Sequence, residues 1–122
     1  MSNGPPQSAY LELHNYQSHP VQLFIEPWGE EYFLMPGDKV ALQGTGKGDR
    51  PYFGLDFSTY QVTVWAEGGI GDVQVSKNGE PLEIGCNFEA WHRFCKAEGV
   101  DPGSACKSEP SVLQAEGARR ER

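Results

Sequence analysis

Three glutamates surround a tryptophan at one bend of the chain, in Ile25-Glu26-Pro27-Trp28-Gly29-Glu30-Glu31-Tyr32. An exposed indole beside a turn can stack on a sugar, and carboxylates can accept hydrogen bonds from hydroxyls or amines. Two carboxylates could also act as acid and base in glycoside hydrolysis if they flank one bond at roughly 5–10 Å. The more ordinary interpretation is that Trp28 folds under the bend as a core plug. Glu26, Glu30 and Glu31 would then form a solvated acidic rim.

Two further aromatic residues occupy positions that strand alternation assigns to a wet face. If Val62 and Val64 face the core, Trp65 faces away from it, and Phe24 does the same in the strand that contains Leu23. Large rings on a wet face form an apolar patch, which commonly marks a partner, a groove or an oligomer contact. The alternative is that the late helix or the second sheet covers both rings.

The spacing of the cysteine and histidine residues gives little support for a metal site or a nucleophilic catalyst. Cys86, Cys95 and Cys106 lie far apart in the sequence, unlike the CxxC clusters of zinc sites. His14 and His19 flank a turn, but no third ligand lies nearby. Cys86 precedes a predicted helix, whose N-terminus could activate its thiol, although a small buried thiol is the commoner outcome. We therefore predict no catalytic residue, no metal and no cofactor.

Length and composition exclude several classes of function. The chain has 122 residues, which suits a single domain. Ten lysines and arginines against 17 aspartates and glutamates give a formal net charge of -7, which disfavours nucleic acid. No run approaches the roughly 18 apolar residues of a membrane helix, and the N-terminus lacks the apolar region of a signal peptide. We therefore predict a cytoplasmic protein that binds neither nucleic acid nor a membrane.

Alternating apolar and polar residues predict a series of short strands between Tyr10 and Ile84. The clearest strand covers residues 60–67. Asn78-Gly79 is the best hairpin signal, because both residues tolerate a positive φ. A Pro-Gly turn is expected to close another hairpin around residues 31–43. The glycine-rich segment 44–51 is expected to be only a mobile connection.

The apolar period changes after Asn87, which can cap a helix. Aromatic residues then recur at spacings of three and four, and Gly99 follows them. This pattern predicts a helix over about 88–98 with its aromatic stripe against the sheet. The predicted fold is mainly β, a small antiparallel β-sandwich or barrel of seven to eight short strands with one C-terminal helix. We expect a flexible arm at 1–8, the domain at 9–102 and a disordered tail at 103–122.

The EPWGEEY segment, followed by a Pro-Gly turn, resembles short uncharacterised bacterial β-rich proteins that share both features. This resemblance implies a β-rich fold and no activity. Our leading hypothesis is a non-enzymatic module that binds a protein partner, or itself, through an aromatic and acidic surface. A basic partner would suit this surface, and salt would weaken the association. The alternative is a small hydrolase or carbohydrate-binding protein with its site at the Trp28 bend. The candidate binding residues are Phe24, Glu26, Trp28, Glu30, Glu31 and Trp65.

Overall fold

The computed structural model describes residues 7–48 and 50–101, which form eight strands and one helix. The elements are β1 (Gln7–His14), β2 (Val21–Glu26), β3 (Glu30–Leu34), β4 (Lys39–Gly46), β5 (Tyr52–Phe57), β6 (Gln61–Glu67), β7 (Ile70–Lys77), β8 (Glu80–Pro81) and α1 (Phe88–Glu98). The last two residues of the predicted arm lie in β1. Residues 1–6 and the predicted tail at 103–122 lie outside the described residues.

The strands form two sheets of four. Sheet A has the order β1-β4-β7-β8, and sheet B has the order β3-β2-β6-β5. The predicted mainly-β fold with a C-terminal helix is confirmed, and its two separate sheets make it a sandwich. One pair departs from the antiparallel expectation, since β2 and β6 run parallel. Alternation predicts which face of a strand is buried, but it carries no information on the direction of the neighbouring strand.

The hairpin predicted around residues 31–43 is wrong. β3 belongs to sheet B and β4 to sheet A, so the turn between them carries the chain across the sandwich. The turn itself has the expected conformation, with a φ of 87° at Gly37 and a 3.0 Å hydrogen bond from the Asp38 N–H to the Met35 carbonyl. The Asp38 carboxylate also accepts a bond from the Met35 N–H. These contacts are local, and they specify the turn without specifying strand partners.

The glycine-rich segment 44–51 is only in part a connection. β4 extends as far as Gly46. A Cβ atom at Gly46 would overlap the carbonyl oxygen of Gly69, and one at Gly48 would overlap that of Gly68. The two backbone segments therefore cross in contact, and this approach requires glycine. The prediction of a mobile connection is wrong for these packed positions.

The main core lies between the two sheets. Leu23, Ile25, Leu42 and Val64 are fully buried there, and this confirms the inward faces predicted for β2 and β6. The Asn78-Gly79 turn has the predicted positive φ values of 54° and 82°. It leads into β8, which forms one edge of sheet A.

The helix adds a third layer over one end of the outer face of sheet B. Trp91 and Cys95 are buried there with Phe33 of β3, and the Phe33 and Trp91 rings stack at 5.4 Å. The predicted side-chain cap is wrong. Asn87 makes no capping bond, and its Nδ2 atom donates instead to the Phe33 carbonyl at 3.1 Å. Gly99 ends the helix with a φ of 73°.

Candidate functional site

The part of the outer face of sheet B beyond the helix brings four of the predicted binding residues together. Phe24 lies opposite Glu31 of β3, and Glu26 lies beside Trp65 of β6. Because residues in register share a face of the sheet, all four project away from the core. Trp65 is 40% exposed and Phe24 is partly exposed. Neither ring belongs to the cluster that the helix buries.

Strand β5 extends this surface with residues that the sequence reasoning did not select. Asp56 lies opposite Thr63, and Tyr52 lies opposite Glu67. The Trp65 Nε1 atom donates to the Asp56 carboxylate at 3.0 Å, which fixes the orientation of the indole. Only strand register could have added these positions, because they are distant in sequence from the EPWGEEY segment. We call the following residues the acidic aromatic face: Phe24, Glu26, Glu31, Tyr52, Asp56, Trp65 and Glu67.

Sheet B carries formal charge of one sign only. Its four strands contain five carboxylates and neither lysine nor arginine. Sheet A has three carboxylates and two lysines, and the helix has two residues of each sign. The strands of sheet B therefore contribute only negative charge to the acidic aromatic face, and such charge attracts cations.

Glu30 and Glu31 project to opposite sides of β3. The Glu31 Oε2 atom accepts a bond from Gln22 Nε2 at 3.1 Å on the outer side. Glu30 lies opposite Ile25 on the inner side, and its Oε1 atom accepts a bond from the Tyr32 hydroxyl at 3.3 Å. The backbone of the sheet therefore lies between these two carboxylates. Glu30 is therefore separate from the acidic aromatic face.

Trp28 does not plug the sandwich, and the interpretation of its ring as a core plug is wrong. Its side chain is 42% exposed on the turn between β2 and β3. Gly29 in that turn has a φ of 71°, and its N–H donates to the Ile25 carbonyl at 3.0 Å. The turn directly follows Glu26, so Trp28 lies two residues beyond a member of the acidic aromatic face.

A cleft of about 560 Å³ opens beside the short strand β8. Glu30, Tyr32 and Ile84 are among its lining residues. The Tyr32 ring is 4% exposed. Burial, followed by the charge and the hydrogen bond of Glu30, raises the pKa of Tyr32 to about 12.

The free energy of unfolding should fall above pH 10 because of Tyr32. The unfolded chain ionises this phenol near pH 10, whereas the folded protein keeps its proton until about pH 12. The stabilisation is therefore complete below pH 10 and is lost as the pH rises through about 12. Urea midpoints measured across this range should decline less in Tyr32→Phe than in the parent. Tyr16→Phe is the control, since that ring is 84% exposed. Equal declines in Tyr32→Phe and the parent would contradict the assignment.

The other candidate side chains do not converge on a site. The His14 ring packs against Tyr16 at a tilt, with 4.0 Å between ring centroids, whereas His19 stacks on Phe94 at 5.7 Å. The half-buried Cys86 directs its thiol to a main-chain carbonyl of β3 at 3.9 Å. Among the residues that the structure describes, no group of three or more histidines, cysteines, aspartates or glutamates could hold a metal ion.

Comparison with known proteins adds no information on function. No protein-family model, no curated protein and no solved structure matches the chain. Within the described residues, no helix has the length and apolar character that crossing a membrane requires. The geometry of the acidic aromatic face therefore provides the main basis for a functional proposal.

Proposed function

We propose that this protein is a non-enzymatic binding module that holds a basic segment of a partner protein on its acidic aromatic face. The observation that carries the proposal is the composition of sheet B. Its strands contain no lysine or arginine, and four of their five carboxylates lie on the outer face, where three aromatic rings stand partly exposed. Aromatic residues supply much of the contact energy in protein interfaces, while complementary charge selects the partner.

The arrangement of Trp65 supports a lysine- or arginine-containing ligand. Its indole N–H is already bonded to Asp56, so the ring has a defined orientation in the free protein. A cationic side chain can pack over such a ring, an interaction worth about 0.5–1 kcal/mol at an exposed site. Single exposed ion pairs contribute at most about 1 kcal/mol. The expected affinity therefore depends on several carboxylates acting together with the rings.

The probe for this proposal is a synthetic peptide of alternating lysine and valine, with calorimetry as the readout. Binding should weaken steadily as NaCl is added. Trp65→Ala should weaken it by about tenfold or more, since truncating a central aromatic residue commonly costs about 2 kcal/mol. The double substitution Glu26→Gln and Glu31→Gln removes two negative charges from the face. It should reduce both the affinity for the peptide and the dependence of that affinity on salt.

Matched variants on sheet A serve as controls. Tyr10→Ala removes a ring that is 61% exposed on β1, and Glu12→Gln removes a carboxylate from the same strand. Both should bind the lysine–valine peptide like the parent. The proposal would be wrong if these variants lost as much affinity for the peptide as the variants on sheet B. It would also be wrong if a glutamate–valine peptide bound as tightly as the lysine–valine peptide.

A second candidate is carbohydrate binding at the turn, favoured by the exposure of Trp28 beside Glu26. A sugar ring could stack on the indole and donate hydroxyl hydrogens to the carboxylate. The same protein samples would then be titrated with soluble cello-oligosaccharides. Fluorescence quenching that is insensitive to salt, lost in Trp28→Ala and retained in Trp65→Ala would support this candidate over the first.

A further inference from the structure

Strand β5 is the edge strand of sheet B on the side away from the helix-covered strand β3. It pairs with β6 in antiparallel register along its whole length, from Tyr52 to Phe57. Within the described part of the chain, no strand pairs with its other side. An edge strand exposes a row of backbone N–H and C=O groups that can receive another strand.

The hydrogen-bond pattern identifies which backbone groups form this row. The Ser58 N–H donates to the Gln61 carbonyl at 2.8 Å, so these residues are a hydrogen-bonded pair. Such pairs alternate with non-bonded pairs in an antiparallel ladder. Phe53, Leu55 and Phe57 therefore hold the non-bonded positions opposite β6. Their N–H and C=O groups therefore point away from β6, along the outer edge of β5.

The side chains along this edge give only limited protection against strand pairing. Natural edges often carry charged residues, proline or a bulge, whereas β5, with the sequence YFGLDF and a regular register, has the single charge of Asp56. Leu55 is 39% exposed and Phe57 is 68% exposed, both on the inner side of the sheet. A cleft of 180 Å³ lies beside Phe57, with Leu13 and Val62 among its lining residues. It offers space for an apolar side chain of an added strand.

We propose that the partner segment adds to sheet B as a fifth strand, antiparallel to β5. This inference rests on the proposed function, because it concerns the same basic partner. Side chains of the added strand on the outer side would lie beside Tyr52 and Asp56, where the carboxylates favour lysine or arginine. Those on the inner side would lie beside Leu55 and Phe57, where apolar residues fit. The ligand is therefore an extended protein segment of alternating basic and apolar residues.

A second copy of this chain suits the edge less well. Pairing β5 with itself would join two sheets that each carry five carboxylates and no lysine or arginine in their strands. Repulsion between like charges on one continuous sheet disfavours that assembly. A basic segment instead gains from the same charges, so charge complementarity favours the heterologous strand.

Peptide N-methylation tests the strand addition and its register. In antiparallel addition, the valines of the lysine–valine peptide lie opposite Phe53, Leu55 and Phe57 and exchange hydrogen bonds with them. Methylating the valine nitrogens should weaken binding by about tenfold or more. Methylating the lysine nitrogens is the matched control, since those groups point away from β5, and it should change binding by less than about twofold.

The possible outcomes separate this inference from the proposed function. If neither methylated peptide loses affinity, strand addition is wrong, while salt-dependent binding of the parent peptide still supports the acidic aromatic face. If methylated lysines weaken binding and methylated valines do not, the antiparallel register is wrong. A dimeric mass for the protein alone, abolished by Leu55→Lys, would assign the edge to a second copy and overturn the inference. If the unmodified peptide does not bind at all, both proposals fail.

Discussion

Val64→Asp should leave the chain unfolded at neutral pH. Val64 is fully buried in β6, where it lies beside Ile25 of β2 and opposite Leu55 of β5. An aspartate at this position would place an unpaired charge or a protonated carboxyl among apolar side chains. The cost is several kcal/mol against a total stability of about 5–15 kcal/mol for a small domain. Far-UV circular dichroism should show the loss of strand signal.

Gln43→Asp is the control for this experiment. Gln43 lies in β4, which is an inner strand of sheet A, but its side chain is exposed. The new carboxylate would remain in water, so the free energy of unfolding should change by no more than about 0.5 kcal/mol. The melting temperature should therefore stay close to that of the parent. If Val64→Asp melted like Gln43→Asp, the two-sheet core around Val64 would be refuted.

Trp91→Ala should destabilise the protein by about 3–5 kcal/mol, the usual cost of removing a fully buried large aromatic side chain. The Trp91 ring is 1% exposed and stacks on Phe33, so its loss leaves a cavity between the helix and sheet B. Urea unfolding should show the loss of stability. Near-UV circular dichroism should report the loss of fixed aromatic packing around Phe33.

Phe88→Ala is the control for this experiment. It shortens another aromatic residue of the same helix, so it shows how much of the effect of Trp91→Ala comes from buried packing. The Phe88 ring contacts Phe33 at 5.8 Å but is 48% exposed, so its removal should cost about 1 kcal/mol. Equal losses in Trp91→Ala and Phe88→Ala would mean that Trp91 does not hold the helix on the sheet.

Local sequence patterns predicted the elements of this fold better than their partners. The helix over 88–98 was predicted because aromatic spacing and a terminal glycine are both local features, and it agrees with Phe88–Glu98. The Pro36-Gly37 turn shows the limit of this reasoning. Its conformation follows from its own two residues, but whether the next strand stays in the same sheet depends on burial far away in the sequence. The parallel pairing of β2 with β6 was missed for the same reason.

The candidate site shows the same division. Alternation alone placed Phe24 and Trp65 on the outer side of their strands, and the structure agrees. Alternation also implies that Glu30 and Glu31 lie on opposite faces of their strand, although their adjacency in the sequence suggests that both belong to one acidic rim. The contributions of Tyr52 and Asp56 required the register of β5 against β6, which no local pattern encodes. Pairwise register is therefore the information that joined scattered acidic residues into one surface.

The parallel contact between β2 and β6 constrains the order in which the chain can assemble during synthesis. Residues 22–26 pair with residues 61–65, so β2 cannot form its ladder with β6 until Trp65 has left the ribosome. Until then β2 and β3 of the nascent chain can form only a hairpin, in which the other edge of β2 remains unpaired. Such contacts between distant segments slow folding and prolong the exposure of unpaired strands. Translation speed between β3 and β6 should therefore influence how much of the newly made chain escapes aggregation.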